Sequence, residues 1–379
     1  MSEEMKISNV HFFFKIFFTI LFTSHGSQID DVPSPNNGVA FFIFGDSLLD
    51  PGNNNFINTT EDFRANFTPY GETFFNSPTG RFSDGRLIPD FIAEYANLPL
   101  IPAYLDPHNN LYIHGVNFAS GGGGALVETH QGFAINIETQ LRYFKKVERS
   151  LRKKLGDARA SSLLSDSVYM FSIGGNDYIV AFEGSPVLEK YTEIEYVNMV
   201  IGNVTSVLQN LADLNLKLLQ KVSGNVPPLG CMPHTRLMKV GGHGSCWDEA
   251  SALARLHNKL LPAALQKLAH DLQGFKYTLA DTYNMLQNRI DNPSKYGFKD
   301  GRTACCGSGE LRGIYSCGGM RGQREFELCE NPNEYLFFDS YHPNERAYEQ
   351  FAKQIWNGDA QFINPSNLKQ FFQCGSSQA

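Results

Sequence analysis

Two short segments at opposite ends of the 379-residue chain hold the residue types that covalent ester or amide chemistry needs. Near the start, the apolar run Val39 to Phe44 ends in Gly45-Asp46-Ser47-Leu48. A serine just past the carboxyl end of a buried strand stands where open α/β sheets keep their sites. Near the other end, Asp339-Ser340-Tyr341-His342 sets a carboxylate three residues before an imidazole. On a tight loop that spacing lets the carboxylate hold one ring nitrogen, while the other faces a serine hydroxyl and takes its proton. Each segment also has a plainer reading: Asp46 and Ser47 could cap a helix, and a histidine ahead of a helix is more often a surface residue.

A serine nucleophile also needs donors for the oxyanion. Ser120 is followed by Gly121, Gly122, Gly123 and Gly124, a run that lets backbone N–H groups face a site without side-chain obstruction. No Gly-Lys-Ser/Thr follows it, which weakens a phosphate-loop reading. Gly174-Gly175-Asn176-Asp177 supplies a side-chain amide after another strand-like run. The Gly-x-Ser-x-Gly elbow of ordinary α/β-hydrolases is absent from the sequence.

These segments are positioned by short apolar runs alternating with long amphipathic ones. Gly115 to Ala119, Ser167 to Ile173 and Phe275 to Ala280 read as further strands. Leu141, Phe144, Val147, Leu151 and Leu155 step at helical spacing, as do Leu253, Leu256, Leu260, Leu265, Leu268 and Leu272, and Tyr196 to Leu219 is a third candidate helix. Such alternation predicts a parallel sheet covered on both faces. With no linker or repeat in view, residues 29–379 read as one domain. The basic run Lys145 to Lys154 shares its segment with helically spaced apolar residues, so it reads as a solvated helix face.

Composition narrows the function classes. Hydrophobic residues at 42% and aromatics at 13% describe a globular chain, and a net charge of −7 argues against nucleic acid. Residues 1–28 carry an apolar tract from Phe12 to Phe22, too short for a membrane span, with Lys6 ahead and small residues behind, the pattern of a secretory signal peptide. Export to an extracellular or wall location makes disulfides the expected state of most of the seven cysteines, Cys231, Cys246, Cys305, Cys306, Cys317, Cys329 and Cys374, with pairing open and one left over. It also makes Asn58, Asn66 and Asn203, each in an Asn-x-Thr triplet, candidate glycosylation sites. No zinc-type Cys/His spacing occurs.

The ordered blocks Gly-Asp-Ser-Leu, the glycine run, Gly-Gly-Asn-Asp and Asp-x-x-His resemble those of the GDSL-motif, or SGNH, hydrolases. With Ser77 to Arg86, Asn225 to Cys231 and Ala304 to Gly307, the chain most resembles the secreted plant GDSL esterase/lipases. The resemblance implies a flavodoxin-like three-layer α/β/α sandwich with a parallel central sheet. It implies Ser47 as nucleophile, His342 as base oriented by Asp339, and an oxyanion hole from Ser47 N–H, Asn176 and a glycine, Gly124 first and Gly122 second. The expected reaction is hydrolysis of a lipid or small-molecule ester, or of an acylated wall polysaccharide, through an acyl-enzyme and without metal or organic cofactor. An acyltransferase using an alcohol or sugar acceptor is the nearest alternative, and a catalytically silent lipid- or wall-binding protein a more distant one. One segment departs from the family pattern: Lys221 and Gly224 are expected to weaken a strand ahead of Asn225.

Overall fold

The computed structural model describes residues 39–109, 111–212, 219–239, 241 and 244–374. The expected leader over residues 1–28 lies outside them, and all the described residues fall within one compact unit, Ser34–Ala379. Five strands pair in parallel: β1 (Phe41–Gly45), β2 (Gly115–Asn117), β3 (Val168–Ser172), β4 (Leu219–Gly224) and β5 (Phe275–Ala280). Four short strands follow, β6 (Asp300–Ala304), β7 (Cys306–Gly307), β8 (Glu327–Leu328) and β9 (Tyr335–Phe337), and β10 (Ile363–Asn364) adds an antiparallel edge beside β5. The large sheet runs β10-β5-β4-β3-β1-β2. Its parallel part has the flavodoxin-like order, and the direction of winding reverses between β1 and β3. Segments leaving those two strands therefore diverge around a crevice, and Ser47 and Asn176 are on those segments. The sheet is parallel as expected except for its last edge.

β1 shows why the sheet needs two helical layers. Alternate side chains of a strand point to opposite faces. Phe42 meets Phe144 of α2 (Ile137–Leu155) edge-on at 5.3 Å, whereas Phe41 meets Phe372 of α11 (Leu368–Cys374) at 5.7 Å. Phe44 stacks between Phe118 at 4.9 Å and Phe171 at 4.7 Å, joining β1 to its neighbours. The remaining helices are α1 (Ile88–Tyr95), α3 (Asp157–Asp166), α4 (Gly175–Phe182), α5 (Val187–Lys190), α6 (Glu193–Ala212), α7 (Pro233–Met238), α8 (Asp248–Asp271), α9 (Thr282–Asp291) and α10 (Glu345–Asn357). The buried stripe of α2 is Ile137, Leu141, Phe144, Val147 and Leu151, which leaves its lysines toward solvent.

Two local expectations need correction. The third helix is described over Glu193–Ala212, and Leu219 opens β4 instead of ending a helix. Residues 219–224 form a six-residue strand between β3 and β5, despite Lys221 and Gly224. A central strand has its ladder satisfied on both sides, and that outweighs the weak intrinsic preference of two residues. Among the described residues, no helix is long and apolar enough to cross a membrane.

A second, smaller layer carries the distal segment. β9 pairs in parallel with β6, and β7 pairs with β8. Disulfides join Cys305 to Cys329 and Cys306 to Cys317, and these four cysteines pack with Tyr70, Phe82 and Phe338 in a buried cluster. A third links Cys231 to Cys246. The backbone N–H groups of Cys305 and Cys306 donate to the carbonyls of Phe337 and Phe338 at 2.9 and 2.7 Å. These two cysteines, each tied into its own disulfide, thus grip the chain directly ahead of Asp339.

Candidate active site

Folding closes a chain of hydrogen bonds across 295 residues of sequence: His342 Nε2 lies 2.8 Å from Ser47 Oγ. On the other side of the ring, His342 Nδ1 lies 2.8 and 2.9 Å from the two carboxylate oxygens of Asp339. Asp339 is fully buried and His342 nearly so. The loop shape follows from the carboxylate itself, because Asp339 Oδ1 accepts the backbone N–H groups of Tyr341 and His342, both at 2.8 Å. Asn344 then caps α10 by accepting from Ala347 N. One carboxylate therefore folds its own turn and orients the imidazole.

Tyr70 completes the second oxygen, its hydroxyl donating to Asp339 Oδ2 at 2.7 Å. Burial, together with the Asp339 charge, raises the Tyr70 phenol well above its usual range, so it stays a donor. Behind it, the buried Arg321 guanidinium lies 3.8 Å from the Tyr315 ring centre and 5.3 Å from that of Tyr70. Burial alone would push the Asp339 carboxyl up, but the imidazole of His342, the Arg321 charge and the Tyr70 hydroxyl together hold it below its usual value.

Ser47 sits on a turn in which Leu48 N donates to Asp46 Oδ1 at 3.0 Å and Leu49 N to Asp46 O at 3.1 Å. Gln140 of α2 pins the end of β1 from both sides, accepting from Gly45 N at 2.9 Å and donating to Gly45 O at 2.8 Å. Burial drives the Asp46 carboxyl up to about 7, with the nearby Asp177 and Asp50 charges adding to the effect. Asp50 rises to about 6, again through burial, although it accepts from Gly52, Asn53 and Gly121 N–H. The adjoining asparagines clamp the glycine run: Asn53 donates to the carbonyls of Asn117 and Ala119, and Asn54 to those of Phe63 and Gly121.

Within that run the four glycines differ. Gly122 adopts φ +78° and borders the cleft with Ser47, Asn176 and His342. Its carbonyl lies 2.8 Å from His130 Nδ1. Gly123 donates inward to Ser120 O, and its carbonyl accepts from Asn176 Nδ2 at 3.0 Å. Gly124, favoured from sequence, does not border the cleft; the Thr129 side chain occupies the space a Cβ there would need, and its carbonyl receives Ile137 N at the start of α2. The side chain of Asp177 fastens the next turn, taking Ala125 N, Leu126 N and the Thr129 hydroxyl.

The cleft encloses about 950 Å³ of space, its open mouth included. Leu48, Ile173, Ile179, Val226, Leu229 and Met232 are among its apolar lining residues. Among the described residues, no group of three or more His, Cys, Asp or Glu side chains could hold a metal ion. Of the residues named from sequence, Ser47, Asn176, Asp339 and His342 come together here. Tyr70, Arg321 and Gln140 were not legible, since nothing in their local sequence points across the fold. The Asn53-Asn54-Asn55 run beside Asp50 was the one available signal for the clamp.

A serine, an imidazole and a buried carboxylate thus stand in line at a topological switch point beside an apolar cleft, in an α/β fold without the Gly-x-Ser-x-Gly elbow. Residues 41–355 match the family model of the GDSL-like lipase/acylhydrolases. The chain is 50% identical over 340 residues to a GDSL lipase of Tanacetum cinerariifolium, covering 90% of this chain and 89% of that one. It is 47% identical to GDSL esterase/lipase 5 of Arabidopsis thaliana, covering 95% and 94%. It is 48% identical to GDSL esterase/lipase 1 of the same plant, covering 91% and 93%. The chain belongs to the GDSL-like lipase/acylhydrolase family and is a carboxylic ester hydrolase of the GDSL type.

Two substitutions test this framework. Tyr70→Phe removes a buried donor to a charged acceptor and should cost about 1.5–3 kcal/mol in urea unfolding. Asp46 titrates near 7 in the folded chain against an ordinary 3.8, so the stability it permits is full below about pH 4 and is lost as pH rises to about 7. Asp46→Asn should therefore lessen the fall in melting temperature between those pH values. Asp50, raised in the same direction, remains and should leave part of the fall in place.

Proposed function

We propose that this chain is a secreted serine esterase working through a Ser47-His342-Asp339 triad and an acyl-enzyme. The observation that carries the reading is the 2.8 Å contact between His342 Nε2 and Ser47 Oγ, with Nδ1 held by a buried carboxylate. In this reading His342 takes the Ser47 proton as Oγ attacks the ester carbonyl. The charge that develops on the carbonyl oxygen is met by the Ser47 N–H, the Asn176 amide and a glycine N–H. We assign the glycine to Gly122 rather than Gly124, because Gly122 shares the cleft with Ser47 and Asn176. Asp339 keeps the imidazole in the tautomer that accepts from serine and offsets the imidazolium that forms. The imidazolium returns the proton to the departing alcohol, and water then attacks the acyl-enzyme with the same base. The apolar lining, Leu48 and Met232 included, suits the acyl part of the ester.

Export accompanies this reading. Residues 1–28 are proposed as a cleaved leader and residues 29–379 as the mature single domain. Three disulfides suit an oxidising compartment. Asn58, Asn66 and Asn203 all lie exposed, which suits N-glycosylation.

Ser47→Ala should retain the wild-type melting temperature while turnover of a p-nitrophenyl ester falls by about 10⁴-fold or more. A fluorophosphonate probe should label the wild type and not the variant; an unlabelled, folded wild type would instead mark a silent binding protein. Asn176→Ala should lower kcat by about 10²- to 10³-fold with little change in KM. A KM-dominated effect would assign the amide to substrate binding.

A further inference from the structure

Away from the cleft, Arg289, Lys295, Arg346 and Lys353 border one open basin of about 1060 Å³, solvent included, between α9, the 293–297 turn and α10. It shares no lining residue with the Ser47 cleft and has no carboxylate in its wall. In a chain of net charge −7, four cations gathered without an acid are an imbalance that needs a reason. None of the four forms an ion pair among the described residues. The acids nearest in sequence are turned to other partners. Asp291 accepts from Gln287 Nε2, Asp359 accepts from Gln361 N, and Glu345 pairs with Arg86.

Two of the cations are fixed in place. Arg289 donates to Gln350 Oε1 at 2.8 Å, Met285 O at 2.7 Å and Gln354 Oε1 at 3.0 Å, and its guanidinium lies 4.5 Å from the Tyr296 ring centre and 4.7 Å from that of Phe351. Arg346 donates to Gly297 O at 2.8 Å and Asn333 O at 3.1 Å. Lys295 and Lys353 are exposed at the rim. The rest of the wall is polar and uncharged, with Gln350, Gln354, Asn357 and the Tyr296 ring among its members. Arg289 is buried and spends its donors and its ring contact on the wall itself, holding Gln350, Gln354 and Tyr296 in place. Carboxylates would meet Lys295, Lys353 and Arg346, and sugar hydroxyls the Gln354 Nε2 and Asn357 amides.

We propose that this basin binds a segment of acidic polysaccharide, a chain of carboxylate-bearing sugars, and so tethers the protein to its surroundings independently of the chemistry at Ser47. The test compares wild type with Lys295→Glu/Lys353→Glu and Lys295→Arg/Lys353→Arg for binding to de-esterified polygalacturonate, its fully methyl-esterified form, neutral dextran and polyphosphate. Wild type should bind the de-esterified chain, more weakly as salt rises, and prefer it to the other three probes. The glutamate pair should weaken binding by about tenfold or more, and the arginine pair should preserve it. Melting temperature and hydrolysis of a small soluble ester should not change in either variant. Equal binding of esterified or neutral chains, tighter binding of polyphosphate, no binding at all, or unchanged binding by the glutamate pair would overturn the proposal.

Discussion

The hydrogen bond between Ser47 and His342 joins two loops that the chain itself keeps 295 residues apart. A separation of a single ångström would lose it, so the surrounding structure must fix both loops against independent references. The sheet fixes the first, because Ser47 leaves the end of a central strand whose terminal peptide is bonded on both sides by Gln140. The disulfide-bonded layer fixes the second, because the residues before Asp339 are held by the backbone of Cys305 and Cys306. The two references meet in a buried cluster where Phe82 packs beside Tyr70 and the cysteines and also lies 4.8 Å from the His342 ring.

Around this contact the protein buries an unusual amount of carboxylate. Asp46, Asp50, Asp177 and Asp339 are all buried, and only Asp339 is held below its ordinary pKa. The difference is in the partners. Asp339 has an imidazole, a guanidinium and a phenol close by, whereas Asp50 and Asp177 are met mainly by neutral backbone N–H groups and Asp46 by one of them. Neutral donors satisfy the oxygens without cancelling the cost of burying charge. These three carboxylates act as turn-formers: each bonds the backbone of a glycine-rich or serine-bearing loop and fixes its path. Of the four, the one held below its ordinary range is the one that faces His342.

Much of this was readable in one dimension because it depends on local pattern. The runs from Val39, Ser167 and Phe275 are strands, and the stripe from Leu141 to Leu155 is a helix, because period and apolar content are local properties. The Asp-x-x-His spacing was readable for the same reason, since Asp339 bonds the backbone of its own loop. Lys221 and Gly224 misled because the stability of β4 comes from neighbours on both sides, contributed by distant segments. The glycine run stayed ambiguous because four consecutive glycines look alike until Thr129, Phe63 and Asn176 crowd around them and one of them, Gly122, borders the cleft.

The sequence by itself determined the α/β alternation, the residue types that meet at the cleft and the order in which their segments occur. Those follow from side-chain chemistry and from periodicities of two and 3.6 residues. Tertiary structure alone decided which glycine borders the cleft, how six of the cysteines pair, that Tyr70 and Arg321 stand behind Asp339, and that four cations share one basin. Each of these is a relation between segments far apart in the chain, and such relations are set only when packing chooses one arrangement from the many that the local pattern allows.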